Sequence, residues 1–157
     1  MKFNLLLFLL TTITAVALSQ ILTKIQLSFI SGHNDLFWAV NETDVVLNKQ
    51  GDNWIITEDS RILLNGIIGK YVQCNGNGKK LTIESYDEND GDAQRWEFPL
   101  APGFYEYICS KKYPDICATA AFKGIRGCSL GIIWSVIALP IGKGGKQWWS
   151  RSKSQGN

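Results

Sequence analysis

The sequence predicts a single all-β domain, and three features carry that prediction. Short apolar segments rich in β-branched and aromatic residues recur along residues 20–150, separated by clusters of Gly, Asn and Asp. No stretch after residue 20 keeps a helical spacing of apolar residues over three turns. A Trp closes three comparable segments, which indicates one structural unit used three times.

The predicted strands alternate with predicted turns. Six segments carry the strand pattern: 36–40, 45–47, 54–56, 71–74, 81–83 and 132–136. Four clusters between them are typical of turns: 48–53, 75–78, 87–92 and 142–145. Strands of this length and spacing are typical of a sandwich or barrel rather than of an α/β fold.

Residues 1–19 have the pattern of a secretory signal peptide. Lys2 supplies one positive charge, residues 5–18 carry none, and Ala17-Leu18-Ser19 fits a cleavage site before Gln20. The uncharged stretch is short of the roughly 20 residues that span a bilayer. We therefore expect cleavage and a secreted, extracellular protein, with a retained membrane anchor as the alternative.

The rest of the chain has the size of one domain. Residues 20–150 form the predicted domain, and the small, polar and basic residues 151–157 are expected to be a flexible tail. The formal net charge of +2 gives no general argument for nucleic-acid binding. We expect a monomer without a membrane span.

Four cysteines follow the predicted signal peptide, and export to an oxidising compartment predicts disulfides between them. Three pairings are possible. The predicted turn between Cys109 and Cys117 favours that pair, and Cys74 with Cys128 would follow. A zinc site is disfavoured because there is no Cys-x-x-Cys and only one His.

The repeated Trp residues are Trp54, Trp96 and Trp149, which lie 42 and 53 residues apart. Three units cannot stack into a useful solenoid. Three four-stranded units can close into a compact threefold barrel, which also removes exposed sheet edges.

Two of these Trp residues end a Gln-x-Trp motif, at Gln94-Arg95-Trp96 and Gln147-Trp148-Trp149, and Asp52-Asn53-Trp54 is a degenerate third copy. Over roughly residues 30–150 this pattern resembles the ricin-type β-trefoil lectins. The resemblance implies a single β-trefoil of three four-stranded repeats after the cleaved signal peptide. It also implies that Trp54, Trp96 and Trp149 fill the core while Gln94 ties a neighbouring turn.

Sugar-binding repeats of this family combine an Asp, a stacking aromatic ring and an Asn before the Gln-x-Trp. The first repeat of this chain shows no such pocket, with Ala39 and Asn48 near the expected places. The second repeat has half a pocket: Gln73 replaces the Asp, and Glu84 or Tyr86 takes the aromatic place. Its Asn is replaced by Ala93.

The third repeat therefore carries the predicted sugar site. The resemblance assigns Trp134 as the stacking platform and Asp115 as the hydroxyl acceptor, with Lys146 in place of the Asn before Gln147. Trp134 as a core residue, and Asp115 as a cap of the turn at Pro114, is the alternative interpretation.

The predicted function is non-enzymatic binding of carbohydrate or a glycoprotein, without a cofactor. The alternative is a secreted interaction protein, an inhibitor, ligand or effector that has lost sugar binding and contacts a protein partner. His33 is the only histidine and Gly-x-Ser-x-Gly is absent, so nothing points to a catalytic site. Asn41-Glu42-Thr43 is a predicted glycosylation acceptor.

Three further motifs give weaker support for a function. Residues 87–92 are acidic but lack the Gly and Glu positions of an EF-hand loop, so a hairpin turn is favoured and no metal site is expected. Residues 142–146 lack the spacing of a phosphate-binding loop. The basic residues near the C-terminus are expected to be a solvated face, with a patch for acidic glycans, lipid headgroups or a partner as the alternative. They are Lys143, Lys146, Arg151 and Lys153, to which Lys123 and Arg126 could contribute.

Overall fold

The computed structural model describes residues 21–28, 35–123 and 133–154 of the chain. It is all-β, with 51% strand, so the predicted fold class is confirmed at that level. Its helical turns are 3-10 helices at Gly91–Gln94, Pro102–Phe104 and Gly144–Gln147. Within the described residues, no helix is long and apolar enough to cross a membrane.

Twelve strands of the described residues make up one sheet. They are β1 (Leu22–Leu27), β2 (Phe37–Asn41), β3 (Asp44–Asn48), β4 (Trp54–Ile56), β5 (Ile62–Leu64), β6 (Lys70–Cys74), β7 (Leu81–Ser85), β8 (Trp96–Glu97), β9 (Cys109–Ser110), β10 (Ile116–Lys123), β11 (Ile133–Pro140) and β12 (Trp149–Lys153). All pairings between them are antiparallel. Each of the six segments predicted from sequence overlaps one of these strands, namely β2, β3, β4, β6, β7 and β11.

Seven of the strands close a barrel. The ring runs β1-β4-β5-β6-β7-β3-β2 and returns to β1. The remaining strands extend it: β12 pairs with β1, and β11-β10-β9-β8 continue from β3. The isolated bridge Arg61↔Arg95 links the residue before β5 to the residue before β8, and Glu106↔Trp149 links the loop between β8 and β9 to β12.

Alternation of side chains fixes which face of each strand is buried. In β1, Thr23, Ile25 and Leu27 are buried, the last two in the core, while the residues between them are partly exposed. Burying a side chain such as Ile25 stabilises the fold by about 1.5–3 kcal/mol. The same core holds the largest buried side chains of the described residues: Trp38, Trp54, Trp96 and Trp149.

The sequence predicts a flexible tail from residue 151, but the structure continues as a strand to residue 153. Residues 151–153 belong to β12, whose register pairs Ile25 with Arg151 and Thr23 with Lys153. Backbone hydrogen bonds to β1 order this segment although its outward side chains are polar. Ser154 N–H also donates to Leu22 C=O at 2.8 Å, and residues 155–157 lie outside the described residues.

One of the two expected disulfides is confirmed. Cys109 and Cys117 lie directly opposite each other on β9 and β10 and are joined by a disulfide. Cys74, which was expected to pair with Cys128, is a free thiol buried in the core on the inner face of β6. Cys128 lies outside the described residues, as do the predicted signal peptide, residues 1–19, and His33.

Candidate functional site

The three repeated Trp side chains are buried and make the same kind of hydrogen bond. Each begins a strand, β4, β8 or β12. Each indole N–H donates to a backbone carbonyl oxygen at 3.1–3.2 Å: Trp54 to Trp38, Trp96 to Val72 and Trp149 to Ala118. An acceptor stabilises a buried indole N–H, and these bonds fix the orientation of the three rings in the core.

The residue after each acceptor marks an equivalent position, and it is occupied by Ala39, Gln73 and Thr119. Gln94 Nε2 donates to Gln73 Oε1 at 3.1 Å, and Gln147 Nε2 donates to Thr119 Oγ1 at 2.9 Å. The first two are the positions that the resemblance compares with the sugar-binding Asp. The same hydrogen-bond pattern gives Thr119 as the third position, whereas Asp115 lies four residues earlier in an exposed turn with φ of 62°.

Trp134 does not provide the open stacking platform that the resemblance assigns to it. Its side chain is only 9% exposed, and its ring centroid lies 5.4 Å from that of Phe122 on the neighbouring strand. On its other side, Trp134 pairs with Leu47 of β3. A sugar ring cannot stack on an indole that is covered in this way.

Gln147 is also occupied by the fold itself. Its Oε1 accepts from the backbone N–H groups of Gly142 and Lys143, at 3.0 and 2.9 Å. Its Nε2 donates to Thr119 and to the carbonyl oxygens of Leu139 and Pro140. Because the side chain is fully buried, its role here is to hold the 142–147 turn.

The four residues expected to bind sugar are consequently not assembled into one site. Asp115 lines a cleft of about 260 Å³ in which Trp134, Lys146 and Gln147 do not take part. That cleft is lined by Glu97, Pro99, Cys109, Ser110, Lys111, Pro114, Asp115 and Ile141. Lys146 is exposed on the 3-10 helix before β12.

A second cleft, of about 260 Å³, lies beside the Gln-x-Trp motif at residues 94–96 and contains an accessible aromatic ring. It is lined by Arg61, Tyr86, Glu88, Asn89, Asp90, Gly91, Asp92 and Arg95. Tyr86 directly follows β7 and is 47% exposed. The resemblance gives the place of the stacking ring to this residue or to Glu84.

Arg61 holds Tyr86 from the inner side of this cleft. Its guanidinium carbon lies 4.8 Å from the Tyr86 ring centroid and 5.8 Å from that of Tyr71. The two Tyr rings meet edge to face at 6.0 Å. Arg61 is only 8% exposed and forms an ion pair with Asp59, so the guanidinium is a fixed cation between two rings.

Local hydrogen bonds place Arg61 at the start of β5. Its N–H donates to Thr57 Oγ1 at 2.9 Å, and its carbonyl accepts from Thr57 N–H at 2.9 Å. Ser60, with φ of 66°, makes the tight turn that brings Arg61 back over the sheet. The bridge to Arg95 then sets Arg61 beside the loop that carries the Gln-x-Trp motif.

The acidic run at residues 87–92 is a turn closed by its own side chain. Asp87 Oδ1 accepts from Asn89 N–H at 2.8 Å and from Asp90 N–H at 3.3 Å. Asp90 pairs with Lys112, and that hydrogen bond raises the pKa of Lys112. Within the described residues, no three His, Cys, Asp or Glu side chains group as metal ligands.

The cleft beside Tyr86 combines groups that suit a polyhydroxylated ligand. Asp92 accepts from Arg95 at 3.2 Å, which keeps both side chains in place at the rim. Carboxylates accept hydrogen bonds, and guanidinium or amide N–H groups donate them. The cleft can therefore bind sugar hydroxyls both as donors and as acceptors. The flat face of Tyr86 provides the apolar contact.

Sequence reasoning considered Tyr86 but missed Arg61 and Tyr71. Tyr86 was a candidate for the stacking ring because it follows a predicted strand. Arg61 belongs to a different segment, and only the β5–β6 and β6–β7 pairings bring it next to Tyr86. An Arg between two short apolar runs gives no signal of that contact.

Asn41, the predicted glycosylation acceptor, is exposed at the end of β2. It pairs with Asp44 across a two-residue hairpin turn in which Glu42 has φ of 58°. The acceptor amide is therefore accessible on the surface of the molecule.

Neither a protein-family model nor a curated protein sequence matches this chain.

Proposed function

We propose that this chain is a secreted, non-enzymatic carbohydrate-binding protein built as a β-trefoil of ricin-lectin type. Its twelve strands fit three repeats of four, β1–β4, β5–β8 and β9–β12. The three equivalent indole-to-carbonyl bonds support that division, since each joins the second and fourth strands of one repeat. Gln94 and Gln147 support it as well, because each donates to the residue after the acceptor carbonyl.

The sugar is bound at the cleft of the second repeat and not at the third. One observation carries this proposal: Tyr86 presents an accessible ring, supported from behind by the buried Arg61, at the edge of a polar cleft beside Gln94. Burial of a flat ring against the apolar face of a sugar gives the affinity. The surrounding carboxylates and guanidinium groups select the arrangement of hydroxyls.

Export is proposed together with this function. The sequence pattern of residues 1–19 and the disulfide between Cys109 and Cys117 support an oxidising destination. The intact mass of the protein secreted from a eukaryotic host tests it. Cleavage before Gln20 and a glycan on Asn41 are expected, and a mass that retains residues 1–19 would contradict export with cleavage.

A secreted interaction protein is the second candidate, and one observation favours it. The position compared with the sugar-binding Asp is occupied by Ala39, Gln73 and Thr119, none of which is a carboxylate. Because every proposed repeat lacks this carboxylate acceptor for sugar hydroxyls, the fold would instead bind a protein partner. In that case the exposed apolar side chains, such as Ile68 and Leu100, would lie in the interface.

A glycan array on the mature protein separates these candidates. We expect binding that Tyr86→Ala weakens by about tenfold or more, which corresponds to about 1.4 kcal/mol. Tyr86→Phe should bind nearly as well as the wild type, because it keeps the ring. A silent array for the wild type would reject sugar binding and leave the protein-partner candidate.

Phe122→Ala is the matched control that tests whether the sugar binds beside Tyr86 or in the third repeat. Phe122 is an exposed ring that contacts Trp134 in the third repeat, and it lies outside the cleft beside Tyr86. Its removal should leave the array profile unchanged. Loss of binding in Phe122→Ala with retention in Tyr86→Ala would return the site to the third repeat.

A further inference from the structure

A larger cleft lies between β12 and the loop that joins β8 to β9, away from the cleft beside Tyr86. Its volume is about 350 Å³, within the range of about 300–1,000 Å³ that is typical of small-ligand sites. It is lined by Thr23, Phe104, Glu106, Trp149, Ser150, Arg151, Ser152 and Lys153. No residue of a Gln-x-Trp motif other than Trp149 takes part in it.

The backbone fixes one wall of this cleft against the other. Glu106 and Trp149 exchange two hydrogen bonds, each N–H donating to the other's carbonyl at 2.9 Å. The loop is closed by Ala101 N–H, which donates to Tyr105 C=O at 2.8 Å. Tyr105 also stacks on Trp148, with ring centroids 6.2 Å apart and planes inclined by 14°. The cleft is therefore preorganised.

An ion pair forms the floor of the cleft. The Arg151 guanidinium donates two hydrogen bonds to the Glu106 carboxylate, one from Nε and one from Nη2, the latter at 2.6 Å. Its carbon also lies 4.4 Å from the Phe98 ring centroid. A forked pair held in this way still has free N–H groups on the guanidinium and lone pairs on the carboxylate. It presents a donor and an acceptor side by side, as two adjacent hydroxyls require.

Phe104 forms the rim, and its conformation is unusual in two respects. The side chain is fully exposed, and its backbone has φ of 66°. A left-handed backbone costs a non-glycine residue roughly 1–2 kcal/mol, and a bulky residue adopts it rarely. Such strain concentrates at functional positions. Phe104 thus presents an exposed apolar ring where it lines this polar cleft.

The charges of the cleft indicate the class of ligand. Glu106 and Arg151 neutralise each other. Lys153 also lines the cleft, is exposed, and makes no ion pair with another described residue. The lining thus carries one excess positive charge, which favours a ligand with one negative charge.

We propose that this cleft is a second, independent sugar site that binds an acidic sugar. The sugar ring stacks on Phe104, two of its hydroxyls bind the Glu106–Arg151 pair, and its carboxylate faces Lys153. The site does not depend on the cleft beside Tyr86, so either site can exist without the other.

The test is a titration of the ¹⁵N-labelled mature protein, followed by backbone amide shifts. The probes are the methyl glycosides of glucuronic, galacturonic and N-acetylneuraminic acid, with methyl glucoside and methyl galactoside as neutral probes. We expect at least one acidic probe to shift the amides of residues 104–106 and 150–153. It should bind about tenfold more tightly than its neutral counterpart.

Three variants of this cleft assign the contacts, and a fourth, outside it, is the control. Phe104→Ala should abolish the shifts, whereas Phe104→Tyr, which keeps a ring, should retain them. Lys153→Gln should remove the preference for the acidic probe. Tyr86→Ala should change none of this, so failure of the two sites can be told apart. Absence of shifts with all three acidic probes, equal affinity for acidic and neutral probes, or unchanged binding by Phe104→Ala would each overturn the proposal.

Discussion

The indole N–H of Trp96 donates a hydrogen bond to the backbone carbonyl oxygen of Val72 at 3.1 Å, and both residues are buried. Trp96→Phe keeps most of the ring but leaves that carbonyl without this donor. We expect the free energy of unfolding to fall by about 1–3 kcal/mol more than the loss of ring volume alone explains. Urea unfolding followed by circular dichroism measures it.

Trp38→Phe is the matched control for this prediction. Trp38 is as deeply buried as Trp96 and packs edge to face with Trp54 and Trp149, at centroid distances of 5.9 and 5.4 Å. Its indole nitrogen finds no hydrogen-bond partner among the described residues. The substitution therefore removes a buried N–H that makes no bond, and it should cost less. Equal losses in the two variants would show that volume alone decides stability here.

The sequence predicted what depends on local pattern and missed what depends on long-range pairing. Strands such as β4 were visible because apolar residues and flanking turns are local signals. The polar strand β12 was not, because its order comes from backbone bonds to β1 rather than from its own side chains. The stacking role expected of Trp134 failed for the same reason: only the pairing of β11 with β3 and β10 reveals that its ring is covered.

The disulfide between Cys109 and Cys117 closes a short loop across β9 and β10, with a sequence separation of eight residues. Restricting the unfolded chain over such a loop is worth about 2–3 kcal/mol. The double substitution Cys109→Ala/Cys117→Ala should lower the urea midpoint accordingly. Reductant should lower the wild-type midpoint by a similar amount and leave the double variant unchanged. A double variant as stable as the wild type would contradict a stabilising crosslink.

Burial raises the pKa of the Cys74 thiol above its ordinary value, and this makes stability depend on pH. The unfolded chain loses the Cys74 proton at a lower pH than the folded protein does. The contribution of this thiol is therefore fully present below its unfolded pKa, about 8.5. Above that value, and up to the higher folded pKa, stability should fall by up to about 1.4 kcal/mol per pH unit.

The difference between the wild type and Cys74→Val isolates this contribution from other groups that titrate in the same range. Unfolding measured from pH 7 to pH 10 should show the gap between the two proteins narrowing or reversing above about pH 8.5. Parallel curves over the whole range would mean that Cys74 is not the group responsible.

The two Gln residues of the Gln-x-Trp motifs should differ in their contribution to stability. Gln147 Oε1 accepts from two backbone N–H groups, those of Gly142 and Lys143, whereas Gln94 Oε1 has no hydrogen-bond partner among the described residues. Gln147→Ala leaves two backbone donors without this acceptor and should cost about 3 kcal/mol. Gln94→Ala removes bonds only from Nε2, to Gln73 and Ser85, and should cost about half as much.

Chemical unfolding of both variants gives the difference directly, and hydrogen exchange at Gly142 and Lys143 gives its cause. Faster exchange of these two amides in Gln147→Ala, with Gln94→Ala unchanged there, is expected if the Gln147 side chain holds the turn. Slow exchange in both variants would mean that the turn is ordered without Gln147, whose amide would then be available for another role. The distinction matters for the sugar site expected at Gln147, because a glutamine committed to the turn cannot also bind a ligand.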